Sequence, residues 1–66
     1  MKVIINGQEK EISNDQYLKT LVQEFCKDSL NVIAELNGRI IKNPQWCEIP
    51  IAEGDRVEFV NIVGGG

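Results

Sequence analysis

The 66 residues carry 7 basic and 10 acidic side chains, no histidine and a net charge of -3, with 42% hydrophobic and 26% charged residues. This describes one domain of ordinary globular composition, near the size at which folding buries only about 60% of the unfolded surface. Such a balance argues against nucleic acid as a partner, because no basic cluster could neutralise several phosphates, and the missing histidine removes the commonest general base and metal ligand.

No apolar run nears the roughly 20 residues of a membrane span, and Met1-Lys2-Val3-Ile4-Ile5-Asn6 lacks the apolar core of a secretion signal. The expectation is a soluble, cytoplasmic protein, monomeric on its own and in contact with neither membrane nor nucleic acid. Cys26 and Cys47 stand 21 positions apart with no C-x-x-C. They are expected to be reduced thiols packed as small apolar groups rather than a zinc site or a disulfide.

Residues 2–6 are β-rich and Ile12 lies in a second short run, with Asn6-Gly7 between them. Asn-Gly is the strongest short hairpin signal, because both turn residues take φ > 0. In the first strand Val3 and Ile5 share one face and Ile4 takes the other. Ser13 followed by Gln16 resembles a capping box, with Asn14 or Asp15 as alternative caps, so a helix is expected to start there. Leu18, Leu21, Val22 and Phe25 then repeat at i, i+3, i+4, i+7 as one core-facing stripe. Asp28, Ser29 and Asn31 end the helix.

A strand is expected from Val32 to Leu36, followed by a second Asn-Gly at Asn37-Gly38 and a return through Ile40 and Ile41. With Glu35 toward water, Val32, Ala34 and Leu36 face inward and Ile33 stays outside. Lys42 to Ile51 holds Pro44 and Pro50 and reads as a loop or short helical turn, with Trp46 as an anchor against the core. Ala52-Glu53-Gly54-Asp55 is turn chemistry, with Gly54 supplying the unusual backbone angles. In the last strand, Arg56 to Val63, Val57 and Phe59 point inward while Arg56 and Glu58 point outward. The outward series continues as Val60 and Ile62, so this face turns apolar just before the glycines.

The chain closes on Gly64-Gly65-Gly66. At a glycine usage of about 7%, three in succession at one chosen place arise in roughly one sequence in three thousand. Lacking Cβ, such a tail can pass a narrow channel, and from Val60 to Gly66 it spans about 20 Å when extended. Gly66 is expected to present a free terminal carboxylate to another protein's active site. The organisation expected is therefore a domain over residues 1–63 and a flexible tail over 64–66. One helix stripe covering one sheet face in the order ββαββ plus a final strand indicates an α+β roll.

Val3-Ile4-Ile5-Asn6-Gly7, Glu35-Leu36-Asn37-Gly38, Trp46, and above all Glu53-Gly54-Asp55-Arg56-Val57-Glu58 leading to Val63-Gly64-Gly65-Gly66 give the chain its resemblance to a known family. It resembles the sulfur carrier proteins of thiamine biosynthesis, small ubiquitin-like β-grasp domains, across nearly its whole length. Where that family usually shows Pro-Arg-Ser before its Trp-containing segment, this chain has Lys42-Asn43-Pro44.

The resemblance implies a mixed sheet of four to five strands packed on one helix, with the first strand central and paired with the last, and the last paired with the third. Ile4, Ile33, Val60 and Ile62 would then converge on the solvent face as a docking patch continued by Val63. It also implies carrier rather than enzyme chemistry. An E1-like adenylyltransferase of the ThiF type uses ATP to adenylate Gly66, a sulfur-donating enzyme converts the adenylate to a thiocarboxylate, and a thiazole synthase of the ThiG type receives the sulfur. No cofactor would be bound, and Gly64 and Gly65 would serve passage. A β-grasp sulfur carrier for molybdopterin or cysteine biosynthesis, a ubiquitin-like modifier, and an interaction module without covalent chemistry are the alternatives.

Overall fold

The computed structural model describes residues 1–62 of the 66, and the expected tail positions Val63, Gly64, Gly65 and Gly66 lie outside the described residues. In chain order come β1 (Lys2–Ile5), β2 (Gln8–Glu11), α1 (Leu18–Phe25), β3 (Val32–Leu36), β4 (Arg39–Ile41), a 3-10 helix (Asn43–Glu48) and β5 (Arg56–Asn61). The strands form one five-stranded sheet in the order β2-β1-β5-β3-β4. β1 and β5 run parallel, and the remaining neighbours are antiparallel. With α1 packed on one face, this is the ubiquitin-like β-grasp form of an α+β fold.

Both expected hairpins form for the expected reason. Asn6 and Gly7 have φ of 50° and 80°, and Asn37 and Gly38 have φ of 51° and 84°. These left-handed pairs give the turn twist that matches the twist of the flanking strands. β1 pairs with the last strand as anticipated, but the middle of the sheet belongs to β5. The two hairpins leave a slot between β1 and β3, and the last strand fills it.

The helix begins later than its sequence suggested. Ser13 and Gln16 form no capping box: α1 starts at Leu18 behind an extended Tyr17, with no side-chain cap, and Asp15 takes φ of 61°. The loop before β5 supplies the reason. Tyr17 bridges Pro50, Ile51 N–H donates to the Gln16 carbonyl at 2.8 Å, and Leu18 N–H donates to the Ile49 carbonyl at 2.8 Å. One of the orphan donors of the helix start is therefore met by a distant backbone carbonyl instead of a neighbouring side chain. At 8 residues the helix is too short to persist alone, so its stability comes from packing.

That packing engages Leu18, Leu21 and Val22, which are 0%, 0% and 1% exposed and join Val3, Ile5, Val32, Ala34, Trp46, Ile51 and Val57 in one core. Burying each such aliphatic side chain contributes about 1.5–3 kcal/mol before entropy is charged against it. Phe25, the last member of the expected stripe, is exposed, because the helix ends there and Cys26 is already extended. Trp46 is buried on the 3-10 helix, and its Nε1–H donates to the Ile41 carbonyl at 2.8 Å. The indole thus fills the core's open end with its polar atom satisfied.

Candidate functional site

β5 is held in place from several parts of the chain. The turn before it is locked to β1: Gly54, at φ of 84°, donates its N–H to the Lys2 carbonyl at 2.7 Å. The Glu53 carboxylate accepts the Lys2 N–H at 3.1 and 3.2 Å, and Asp55 Oδ2 accepts the Ala52 N–H at 2.8 Å. Both turn asparagines then reach across. Asn37 Oδ1 accepts the Arg56 N–H at 2.9 Å while its amide donates to Asp55 Oδ1 at 3.0 Å. Asn6 Oδ1 accepts the Phe59 N–H at 2.8 Å.

Each asparagine therefore has two jobs, a left-handed backbone and a side-chain bond that fixes the register of β5. The sequence reading found the first job and missed the second. At Asn37 its signal was Asn rather than Asp, since only the amide offers a donor for Asp55 as well as an acceptor for Arg56.

β5 ends at Asn61, and the next N–H, that of Ile62, donates to the Asn31 carbonyl at 2.7 Å. Asn31 is itself fixed, donating its side-chain amide to Asp28 Oδ2 at 2.8 Å, while Leu30 N–H donates to Asp28 Oδ1 at 3.1 Å. These two donors, the Asn31 amide first, hold the Asp28 carboxyl below the usual aspartate range. The point from which the chain leaves the sheet is thus set by a short polar relay behind the helix.

The expected docking patch is only partly assembled. Ile33 and Val60 face each other across β3 and β5 on the side away from the helix. Ile4 lies on that same side but pairs with Arg56, four positions earlier on β5. That offset separates it from Val60 by about 13 Å at a rise of 3.3 Å per residue. Ile62 stands beyond the strand and lines a cavity of about 360 Å³ with Phe25, Cys26, Asn31 and Phe59. Its N–H bond to the Asn31 carbonyl continues the β3–β5 ladder one step past the Val32–Asn61 pair.

The structure adds Ile40, which sits opposite Glu35 on β3 and is 66% exposed. The sequence reading used Ile40 only as part of a return strand. Its face follows from the register, which no local pattern in a three-residue strand reveals.

The two thiols differ in their surroundings. Cys26 is half-buried, and that burial pushes its pKa up, so it stays a neutral, weakly nucleophilic thiol at pH 7. Cys47 is exposed on the 3-10 helix instead of packed as expected, because Trp46 takes the inward position beside it. The described residues therefore offer a well-anchored last strand and a mixed apolar and acidic outer face.

Comparison with known proteins agrees with this geometry. Residues 3–66 match the ThiS family. Over 66 residues the chain is 33% identical to a thiazole synthase of Paramagnetospirillum magneticum, covering 100% of this chain and 20% of that much longer protein. It is 20% identical to the sulfur carrier protein ThiS of Escherichia coli, with 100% of both chains covered. The crystal structure of the thiamine biosynthesis protein ThiS from Geobacter metallireducens is 25% identical and superposes with a TM-score of 0.88, again over 100% of both chains. A family match over residues 3–66 and a superposable fold converge on one assignment: this chain belongs to the ThiS family.

Proposed function

We propose that this chain is the sulfur carrier of a thiamine-type pathway and holds its cargo as a thiocarboxylate on Gly66. The observation that carries the reading is the extent of the family match, which runs over residues 3–66 and so includes Gly64, Gly65 and Gly66.

A carboxylate is a poor electrophile, which dictates the order of steps. The Gly66 carboxylate attacks the α-phosphorus of ATP in an E1-like adenylyltransferase, releasing pyrophosphate and leaving an acyl-adenylate. A sulfide equivalent from a sulfur-donating enzyme then attacks the acyl carbon and expels AMP, converting C–O to C–S with no change in carbon oxidation state. The resulting thiocarboxylate is a soft nucleophile for the next enzyme. None of these steps asks for a catalytic side chain here, so the chain acts as co-substrate rather than enzyme.

That a stretch of a thiazole synthase resembles this chain from end to end supports thiazole synthase as the acceptor. Gly64 and Gly65 keep the tail thin enough for two different partner channels. Ordering such a tail costs about 1–2 kcal/mol per residue, which contacts on the folded domain must offset.

Intact-mass analysis after incubation with a ThiF-type adenylyltransferase, ATP and a sulfide source tests the proposal. Exchange of oxygen for sulfur adds about 16 Da. Deleting Gly66, or changing Gly65→Leu, should abolish that gain and leave the melting temperature unchanged. An unmodified wild-type mass with a competent partner would overturn the reading.

A further inference from the structure

The outer face of the sheet contains a juxtaposition the fold does not need. Glu35 and Glu58 are directly opposite each other on β3 and β5, both pointing away from the helix. Like charges in that relation destabilise a sheet. The ion pair found among the described residues joins the N-terminal amine to Glu11, and neither Glu35 nor Glu58 takes part in one. Arg56 lies on the same face two positions before Glu58, yet it is not within ion-pair distance of either carboxylate. Around the two acids stand Ile40, opposite Glu35, and the facing pair Ile33 and Val60. Val60 and Ile40 are 48% and 66% exposed.

We propose that Glu35 and Glu58 together form the acceptor for an arginine presented by the adenylating partner, with Ile33, Ile40 and Val60 as the apolar seat around it. The occupant follows from charge and shape. Two carboxylates on adjacent strands start from Cα atoms about 4.5–5.5 Å apart, close enough for one planar guanidinium to donate to both. A lysine ammonium also has donors for two carboxylates but lacks the planar fork that fixes their geometry, so arginine is the better match. The surrounding isoleucine and valine side chains dry the pair on contact, which strengthens it relative to an exposed bridge. A guanidinium donating to both carboxylates offsets their like charge, so the pair favours association. This inference rests on the sulfur-carrier reading and names the chemistry of its first partner.

The test compares two charge-matched double variants, Glu35→Gln with Glu58→Gln, and Glu24→Gln with Glu48→Gln on exposed positions of the helix and 3-10 helix. Binding to the ThiF-type adenylyltransferase is measured by calorimetry at about 0.1 M and about 1 M salt, where screening lengths fall from about 10 to about 3 Å. The first variant should weaken binding roughly fivefold or more at low salt, with the gap to wild type closing at high salt, while its melting temperature holds or rises.

The second variant should stay within about twofold of wild type, as expected for exposed charges outside the interface. Equal losses in both variants would mean net-charge steering, and no loss in the first would mean no acceptor; either result overturns the proposal. A loss of affinity for thiazole synthase alone overturns the choice of partner. In all three cases wild-type thiocarboxylate formation still succeeds, which separates them from a failure of the carrier reading, in which wild type itself gains no mass and this inference falls with it.

Discussion

On its inner face the sheet buries Val3, Ile5, Val32, Ala34 and Val57, each under a tenth exposed, whereas the outer face of the same strands carries Ile4, Ile33, Glu35, Glu58 and Val60. The inner set does what a fold requires: it is aliphatic, closely packed and covered by α1. The outer set contains an opposed pair of carboxylates and several half-exposed aliphatics, none of which the core needs. Where one face satisfies every demand of stability, the other is free to carry features that only a partner would reward.

The sharpest way to break this contrast is to attack the inner side. Leu21→Ala opens a cavity at a fully buried site and should cost about 2–5 kcal/mol, a large share of the stability of a domain this small. Chemical denaturation should show a much lower midpoint, and a loss under 1 kcal/mol would mean the core is not packed as described. Next in size, Asn37→Ala removes both a residue suited to positive φ and two side-chain bonds to the β5 segment, for an expected loss of about 1–3 kcal/mol.

Val60→Asp probes the opposite side. It should change stability by no more than about 1 kcal/mol at a half-exposed site, yet lower affinity for the adenylating partner at least tenfold by replacing apolar contact beside Glu35 and Glu58 with a charge that must be desolvated on docking. A variant that melts with wild type and binds equally well would show that the outer face is idle.

The smallest effect lies at the exit relay. Because the Asp28 carboxyl is held below its ordinary value when folded, it titrates at lower pH folded than unfolded. Its stabilising contribution is complete above the unfolded aspartate pKa, near 3.9, and vanishes as pH falls through the lower folded value. Asp28→Asn should therefore be slightly less stable than wild type at pH 7, and the two melting curves should converge in acid. A gap that persists below the folded pKa would contradict the relay.

Much of the inner face was legible from the chain alone. Asn6-Gly7 and Asn37-Gly38 fixed two hairpins, and strand alternation sorted Val3 from Ile4, Val32 from Ile33 and Val57 from Glu58, because turn chemistry and the two-residue period are local properties. The start of α1 was not, since Ser13 and Gln16 carry the local signature of a cap while the first helical N–H is met by Ile49, a residue more than thirty positions away. On the outer face the pairing of Ile33 with Val60 was legible, while the distance of Ile4 from them was not. Which neighbours Ile4 and Val60 meet depends on register across β5, and register is set by the Asn6, Asn37 and Glu53 bonds that join distant parts of the chain.

Fragment-ion mass spectrometry of the sulfur-loaded protein bears most directly on the account as a whole. The prediction is a gain of about 16 Da confined to the C-terminal fragment that contains Gly66, with Cys26 and Cys47 unchanged. A gain of about 32 Da on a fragment holding either cysteine, the mark of a persulfide, would contradict it.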